Sequence, residues 1–240
     1  MQEWINAGKD LLFPPSCRGC TKLLSATEEA LCEECLRDVA FIESPKCTGC
    51  GRELSNSTSG DHLCGACLRR KTKLLFSKAV AITHYQEPVS TLLHSLKYGG
   101  DLSVLPALRA ILASKTGVTL QEEDRVVPVP LHIKRLRYRG FNQAVLIARL
   151  FFPKNLNCIL VDALQRVRHT DPQTDLDGAA RRKNLRHAFA VSSKDTIRGR
   201  KIILVDDVYT TGTTVSECSR ALLVAGAREV QVLTLARVRE

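Results

Sequence analysis

Along positions 77–240, short consecutive apolar runs alternate with segments whose apolar residues recur at helical spacing. The runs predict strands and the spaced segments predict helices. The clearest strand is 202–205, four consecutive apolar residues, as expected where a parallel sheet buries a strand on both faces. Apolar residues then recur at helical spacing from 215 to 225, and Gly226 suits the end of that helix. The same patterns predict further strands at 79–85, 126–130 and 159–164, and helices at 88–96, 102–112 and 141–150. Together these elements indicate an α/β fold with a mostly parallel sheet.

Two acidic residues and a threonine-rich loop follow the strand at 202–205. Neighbouring side chains within a strand point to opposite faces, so Asp206 and Asp207 can reach one ligand only if the strand has ended there. In the next segment, backbone N–H groups and hydroxyls can converge on a phosphate at the helix N-terminus, with a glycine permitting close approach. The residues of this threonine loop are Thr210, Thr211, Gly212, Thr213 and Thr214. Since the carboxylates can accept hydrogen bonds from ribose hydroxyls, the segment predicts a site for a phosphorylated sugar.

An ordinary strand-to-helix connection is the alternative interpretation of this segment. Thr213 or Thr214 would then be the helix N-cap, and the two carboxylates would have no ligand. Side-by-side carboxylates after a buried strand cost desolvation free energy unless something uses them, which favours the ligand site.

Eight of the ten cysteines form four Cys-x-x-Cys pairs near the start of the chain. Each pair suits a zinc knuckle, and two knuckles complete a tetrahedral thiolate site with no open position for catalysis. The eight predicted zinc ligands are Cys17, Cys20, Cys32, Cys35, Cys47, Cys50, Cys64 and Cys67. Sequential use of the pairs keeps the ligand loops short and is preferred, while a crossed or nested arrangement stays open. We predict two structural Zn²⁺ ions in a small domain over residues 1–76, followed by a larger domain over residues 77–240.

Disulfide bonds in a secreted chain are the competing explanation for so many cysteines. The first ten residues include acidic side chains and lack the apolar stretch of a signal peptide. Nowhere do apolar residues run long enough to cross a bilayer. We therefore expect a cytoplasmic protein, without membrane insertion, whose cysteines stay reduced.

Positive charge is concentrated in the larger predicted domain. The chain has 35 Lys and Arg and 25 Asp and Glu; residues 1–76 hold 10 of each, so residues 77–240 carry the whole formal charge of +10. Basic residues cluster at 134–139, predicted as a loop, and at 166–186. Part of this charge suits a polyanionic ligand and the surplus suits nucleic acid, although a solvated charged face is the ordinary alternative. Tyr138 among arginines is compatible with base stacking on a single strand.

The polar stretch 165–187 is too long for an ordinary connection in a compact domain. Its length predicts a mobile lid, and its basic residues suit closure over a diphosphate. The alternative is a disordered basic loop.

Several motifs resemble those of known proteins. Residues 201–214 closely resemble the phosphoribosyl pyrophosphate signature of type I phosphoribosyltransferases. Together with the four cysteine pairs, the further motifs give a chain that resembles the ComF/GntX family over nearly its whole length. Those motifs are Lys97-Tyr98-x-Gly-Asp101, Pro128-Val129-Pro130-Leu131-His132, Arg139-Gly140-Phe141-Asn142-Gln143 and Arg168-x-Thr170-x-x-Gln173.

The resemblance carries expectations about fold, site and partners. It implies a type I phosphoribosyltransferase-like, doubly wound sheet behind a double zinc ribbon. It implies that Asp206 and Asp207 are catalytic residues holding the ribose hydroxyls, that the threonine loop holds the 5′-phosphate, and that Mg²⁺ accompanies phosphoribosyl pyrophosphate. The residues expected to bind its diphosphate are Val129, Pro130, Leu131, His132, Arg139, Arg168 and Arg181.

The resemblance also implies a link to natural competence and to uptake of single-stranded DNA, with competence-machinery proteins as partners. The alternative function is a non-catalytic, single-stranded-DNA-binding competence factor that uses the pocket as a ligand sensor.

Overall fold

The computed structural model describes residues 14–25, 28–54, 60–70, 74–115, 120–168, 185 and 187–239. Six strands lie in these ranges: β1 Lys78–His84, β2 Arg125–Pro128, β3 Leu164–Arg166, β4 Phe189–Val191, β5 Lys201–Tyr209 and β6 Glu229–Arg237. Four of them form a sheet in the order β1-β6-β5-β2, with every neighbouring pair parallel. A separate antiparallel pair is formed by β3 and β4. The predicted parallel sheet is therefore confirmed.

Helices cover both faces of the four-stranded sheet. The described residues contain the helices α1 Glu33–Arg37, α2 Gly65–Leu68, α3 Val89–His94, α4 Leu105–Lys115, α5 Ile133–Arg139, α6 Gln143–Phe151 and α7 Thr213–Val224, with a π-helical turn at Ser95–Gly99 and 3₁₀ turns at Leu102–Val104 and Leu156–Cys158. Of these, α3, α4, α6 and α7 cover the sheet. Buried residues of α3, α4 and α6 pack on one face, against side chains such as Ile203 and Leu233. Buried residues of α7 pack on the other face, against Ile202 and Leu204. Because both faces are covered, the strands are apolar in consecutive positions, and the fold is doubly wound as expected.

The most consequential correction concerns β5. It does not end before the acidic residues but continues through Asp206 and Asp207 to Tyr209. Pairing with β6 extends β5 over these residues, since Asp206 lies opposite Thr234 and Tyr209 lies opposite Arg237. On its other side, β2 stops at Pro128, because Pro128 and Pro130 lack the N–H groups needed to extend the ladder. The end of β5 therefore has a neighbouring strand on one side only.

Three other elements differ from the predictions. The basic segment predicted as a loop is the helix α5, which ends at Gly140 in the left-handed conformation (φ +84°). The predicted strand at 159–164 is wrong: the structure has a 3₁₀ turn, one parallel bridge from Ile159 to Val126, and β3 beginning only at Leu164. The C-terminal strand β6 was not predicted. The proposed lid falls mostly on 169–184, including Arg181, outside the described residues.

The cysteine-rich segment lies along the outer edge of β1. The backbone N–H of Ile42 donates to the carbonyl of Ile82, and the N–H of His84 donates to the carbonyl of Ala40. Further along the strand, the N–H of Ala79 donates to the carbonyl of Gly49 at 2.8 Å. Gly51 has φ +71°, and a Cβ there would overlap the carbonyl oxygen of Ala79. The segment thus satisfies part of an edge that would otherwise expose unpaired backbone groups.

Among the described residues, no helix combines the length and apolar character needed to cross a membrane.

Candidate functional site

Asp206 and Asp207 lie at the carboxyl end of the sheet, one and two residues beyond Val205, where the pairing of β5 with β2 ends. Asp206 is half-buried, and Asp207 is 5% exposed. One oxygen of each carboxylate accepts a hydrogen bond from the next backbone N–H, at 2.9 Å for Asp206 and 2.8 Å for Asp207. Burial, followed by the charge of Asp207, raises the pKa of Asp206 well above its ordinary value. This acidic pair is therefore a desolvated site where negative charge is costly until a ligand or cation arrives.

Lys97 is the closest cation to this acidic pair among the described residues. Its Nζ lies 2.5 Å from Oδ2 of Asp207, and the two side chains are 18% and 7% exposed. Burial alone would lower the pKa of Lys97, but attraction to Asp207 outweighs burial and raises that pKa. The carboxylate thus has its charge balanced by a lysine from the π-helical turn.

Arg139, at the end of α5, is the second cation beside the acidic pair. Its guanidinium lies over the ring of Tyr98, 5.8 Å from the centroid, and donates to Oε1 of Gln143 at 2.5 Å. Burial lowers the pKa of Arg139, and the negative charge of Asp207 opposes that shift. Lys97 and Arg139 therefore bring positive charge to the acidic pair from two separate elements.

The threonine loop joins β5 to the N-terminus of α7. Gly212 occupies the N-cap position with φ +75°, and Thr213 begins the helix. The hydroxyl oxygens of Thr211 and Thr213 lie 2.9 Å apart, within hydrogen-bonding distance. A Cβ on Gly212 would overlap the hydroxyl of Tyr209, so only glycine fits this turn without displacement. The N–H of Thr213 donates to the hydroxyl of Thr211 at 3.5 Å. The loop presents hydroxyls and the N–H groups of a helix start next to the acidic pair, as anion sites require.

Replacing Gly212 with alanine should therefore destabilise the fold more than the positive φ alone predicts. An L-residue in this backbone region costs about 1–2 kcal/mol, and overlap with Tyr209 adds to that cost. Gly199 is a matched control because its φ is +70° and a Cβ there would meet nothing within 4 Å. Thermal unfolding should rank Gly212→Ala clearly below Gly199→Ala. Equal melting temperatures would show that Tyr209 does not constrain the loop.

The residues predicted to bind diphosphate occupy different environments. Val129 is 6% exposed; its N–H donates to the carbonyl of Val205, and its carbonyl accepts from Nδ2 of Asn142. Pro130 is buried and has no N–H, whereas Leu131 is half-buried. His132 is half-buried too, and its Nδ1 accepts from the N–H of Lys134 to cap α5.

Arg139 is a predicted diphosphate residue close enough to Asp207 for the charge of that carboxylate to act on its pKa. Arg168 is exposed beyond the end of β3, and Arg181 lies outside the described residues. The diphosphate assignments of these residues stay predictions.

The eight predicted zinc ligands form two groups of four, in sequential pairs. Within each group the four sulfur atoms lie within 4.8 Å of one another. Zn–S bonds of about 2.3 Å in a tetrahedron place sulfurs about 3.8 Å apart. Cys20 and Cys32 are separated by 3.7 Å and Cys50 and Cys64 by 3.8 Å, so the geometry fits zinc.

Equivalent hydrogen bonds support both sulfur groups. Cys17 Sγ accepts from the N–H of Cys32, and Cys47 Sγ accepts from the N–H of Cys64, each at 3.3 Å. Burial alone would raise the pKa of Cys17 and Cys47, but backbone N–H donors lower it to about 6 for both. Two Cys₄ sites of this kind suit structural zinc, and the sequential arrangement is the one observed.

A buried arginine connects the second sulfur group to the threonine loop. Arg237, at the end of β6, is 3% exposed and donates from its guanidinium to the carbonyl of Cys50 at 2.6 Å. The same guanidinium lies 4.6 Å from the centroid of the Tyr209 ring, whose hydroxyl abuts Gly212. The metal-binding segment and the threonine loop are thus in contact through two side chains.

Sequence reasoning missed Lys97 and Arg237 as site residues. Lys97 stands in a motif that supported the family resemblance, yet its distance along the chain from Asp207 gave no reason to place it there. Arg237 belongs to a strand that was not predicted.

Comparisons with known proteins agree with this geometry. Residues 9–68 match the double zinc ribbon domain, and residues 136–240 match the phosphoribosyl transferase domain. Competence protein F of Haemophilus influenzae is 35% identical over 232 residues, which cover 92% of this chain and 96% of that protein. This chain belongs to the ComF/GntX family.

Other relatives span similar lengths. DNA utilization protein YhgH of Escherichia coli K12 is 33% identical over 95% of this chain and 99% of its own length. Competence protein ComFC of Bacillus subtilis is 28% identical over 88% of this chain and 85% of its own length. A double zinc ribbon and a phosphoribosyltransferase domain are therefore the two parts of this ComF family member.

Proposed function

We propose that this ComF family member binds phosphoribosyl pyrophosphate with Mg²⁺ at the carboxyl end of β5, in a phosphoribosyltransferase-type site. The observation that carries the proposal is the acidic pair beside the glycine-containing turn at the start of α7. A sugar phosphate needs acceptors for its hydroxyls and donors for its phosphate, and both lie here within one short segment. The cations Lys97 and Arg139 supply the charge that a diphosphate requires.

Each group at the site has a role that follows from its chemistry. Although β5 runs on through Asp206 and Asp207, the two carboxylates stay near one another, since the charge of Asp207 contributes to the raised pKa of Asp206. Both would therefore hold the ribose hydroxyls and offer the hard oxygen ligands that Mg²⁺ prefers. The threonine loop would fix the 5′-phosphate and so help to orient the ribose. Bound Mg²⁺ would neutralise part of the diphosphate charge. In transferases of this type the bond between C1 and the diphosphate breaks, so catalysis rests on positioning and electrostatic stabilisation and needs no protein nucleophile.

Calorimetric titration tests the proposal directly. Phosphoribosyl pyrophosphate with Mg²⁺ should bind with about one site per chain, and inorganic phosphate alone should bind far more weakly. Absence of heat at ligand concentrations up to the millimolar range, on protein with its zinc in place, would refute it.

Single-stranded DNA binding is a second candidate function, suggested by α5. Lys134, Arg137 and Tyr138 lie on one exposed face of this helix, and the Tyr138 side chain is 93% exposed. Two cations beside an exposed aromatic ring suit a backbone phosphate and a stacked base. The relatives named for competence and DNA utilization are compatible with this role. We propose this face as the DNA contact, in a cytoplasmic protein that works with competence-machinery partners.

The salt dependence of binding tests the DNA surface. Each phosphate contact to a single strand contributes about 0.7 to the slope of log affinity against log salt, so Lys134→Ala with Arg137→Ala should flatten that slope by about 1.4. Fluorescence anisotropy with a labelled oligonucleotide measures it. Arg109→Ala with Arg228→Ala removes the same charge from exposed positions elsewhere and should leave the slope nearer that of the parent. If both variants change the slope equally, α5 is not the DNA path.

A further inference from the structure

Lys97 lies at the acidic pair but outside both sequence ranges that match known domains. It reaches Asp207 from the π-helical turn Ser95–Gly99, which precedes β2 in the chain. Turns of this rare type are often found at functional sites. The phosphoribosyltransferase domain match therefore leaves this lysine unexplained, although it is in direct contact with the site.

The turn that bears Lys97 is fixed to the core while the lysine itself points to the site. Leu96 is fully buried among the apolar residues of α3 and α4, and Gly100 ends the turn with φ +64°. Tyr98 stacks on the ring of His94, with centroids 4.8 Å apart. Anchored on both sides, the turn can deliver the ammonium group without moving its backbone, because four rotatable carbons separate that group from Cα.

Stability alone is a poor reason for this ion pair. Removing two charges from water costs free energy, and their mutual attraction often does not make up for that cost. The site moreover contains a second carboxylate, Asp206, which accepts the backbone N–H of Asp207 at 2.9 Å and takes part in no ion pair among the described residues. Lys97 pairs with Asp207 and Arg139 donates to Gln143, which leaves Asp206 able to take a further cation, such as a ligand-borne divalent ion.

We propose that Lys97 is a diphosphate-binding residue that neutralises Asp207 only until the ligand arrives. When the ligand binds, Asp207 would accept the ribose hydroxyls and could hold Mg²⁺, and the ammonium group would turn to the diphosphate oxygens, beside Arg139. A lysine suits this exchange because its charge is compact and its side chain is flexible. The inference rests on the proposed function, since it names a further contact for the same ligand.

Two ligands that differ only in the diphosphate can show whether Lys97 binds the diphosphate or only pairs with Asp207. Calorimetry with Mg²⁺ would compare phosphoribosyl pyrophosphate and ribose 5-phosphate on the parent and on Lys97→Gln. Glutamine can still donate a hydrogen bond to Asp207 but carries no charge. We expect affinity for phosphoribosyl pyrophosphate to fall about tenfold to a hundredfold, as for loss of one charge-assisted bond, and affinity for ribose 5-phosphate to stay the same or rise.

Two further variants complete the design. Lys97→Arg keeps the positive charge and should retain most of the affinity for phosphoribosyl pyrophosphate. Lys115→Gln removes a lysine that pairs with Glu43 away from the site and should change neither affinity. Melting temperature and zinc content, measured on every variant, confirm that the proteins are folded.

Each remaining outcome is decisive. Equal losses for both ligands in Lys97→Gln would mean that Lys97 acts through Asp207 and not on the diphosphate. Unchanged affinity for both would make the ion pair structural; either result overturns this inference while the proposed function stands. If the folded parent binds neither ligand, the proposed function fails and the role of Lys97 fails with it.

Discussion

Replacing Asp206 and Asp207 together with asparagine should weaken binding of phosphoribosyl pyrophosphate with Mg²⁺ by at least about a hundredfold. Asparagine keeps the size of the side chain but removes the charge that strengthens hydrogen bonds to ribose hydroxyls. Each such charge-assisted bond contributes about 1.5–3 kcal/mol, and about 1.4 kcal/mol corresponds to a factor of ten in affinity. Calorimetry at fixed Mg²⁺ concentration gives the comparison.

The same double variant should remain folded. Burial raises the pKa of Asp206 in the folded state above its unfolded value, so this side chain destabilises the free protein at pH values above that unfolded value. Asparagine at position 206 removes this cost. At position 207 it leaves Lys97 without its carboxylate partner, but the Lys97 side chain is 18% exposed and has a path to solvent.

Thr211→Val is the matched comparison within the same loop. It removes one exposed hydroxyl from a phosphate site built largely of backbone N–H groups, so the loss should be nearer tenfold, from about 1 kcal/mol for one neutral bond. A double asparagine variant that binds as tightly as the parent, with an unchanged melting temperature, would remove the acidic pair from the ligand site. The enzyme hypothesis would then lose its main support.

Cys32→Ser should lower the zinc content from about two ions per chain to about one and strongly destabilise the protein. Cys17, Cys32 and Cys35 are buried in the same apolar cluster as Leu92 and Leu93 of α3, so the first zinc site is part of the main core. Loss of a structural zinc costs on the order of 5 kcal/mol or more, which corresponds to about 10–20 °C in melting temperature for a chain of this size. Metal analysis and thermal unfolding measure the two effects.

Cys158→Ser is the control for the zinc experiment. Cys158 is half-exposed and belongs to neither sulfur group, so its replacement should leave zinc content and melting temperature unchanged. A Cys32→Ser protein that keeps two zinc ions, or that melts like the parent, would contradict a structural role for the first site.

Local patterns predicted the parts of the molecule that depend on local chemistry. The spacing of the cysteines gave the ligands, and short ligand loops favoured the sequential grouping that the structure has, although spacing alone left a crossed arrangement open. The apolar run at 202–205 gave the central strand, and Gly212 is indeed the turn glycine at the start of α7.

Tertiary pairing decided the parts that the sequence did not predict. The sequence predicted that β5 ends before Asp206, because charged side chains usually follow a buried strand and do not continue it. Hydrogen bonds to β6 extend the strand to Tyr209. The basic segment became α5 because His132 and Gly140 cap it at its two ends. Lys97 approaches Asp207 only once the π-helical turn packs against the sheet, and no periodic pattern encodes a contact over 110 positions.

The position of β1 bears on the order in which the molecule can assemble. Its inner edge pairs with β6. Just before the strand, the hydroxyl of Ser77 donates a hydrogen bond to the carbonyl of Val230, which lies 153 positions further along the chain. During synthesis this strand must therefore wait for nearly the whole of the remaining chain, and contacts over such separations form slowly. Its outer edge can be covered much earlier, by Ala40, Ile42 and Gly49, all of which precede it. A zinc-loaded N-terminal segment can thus shield half of an aggregation-prone strand on the ribosome, which gives the metal a role in the yield of folded protein as well as in its stability.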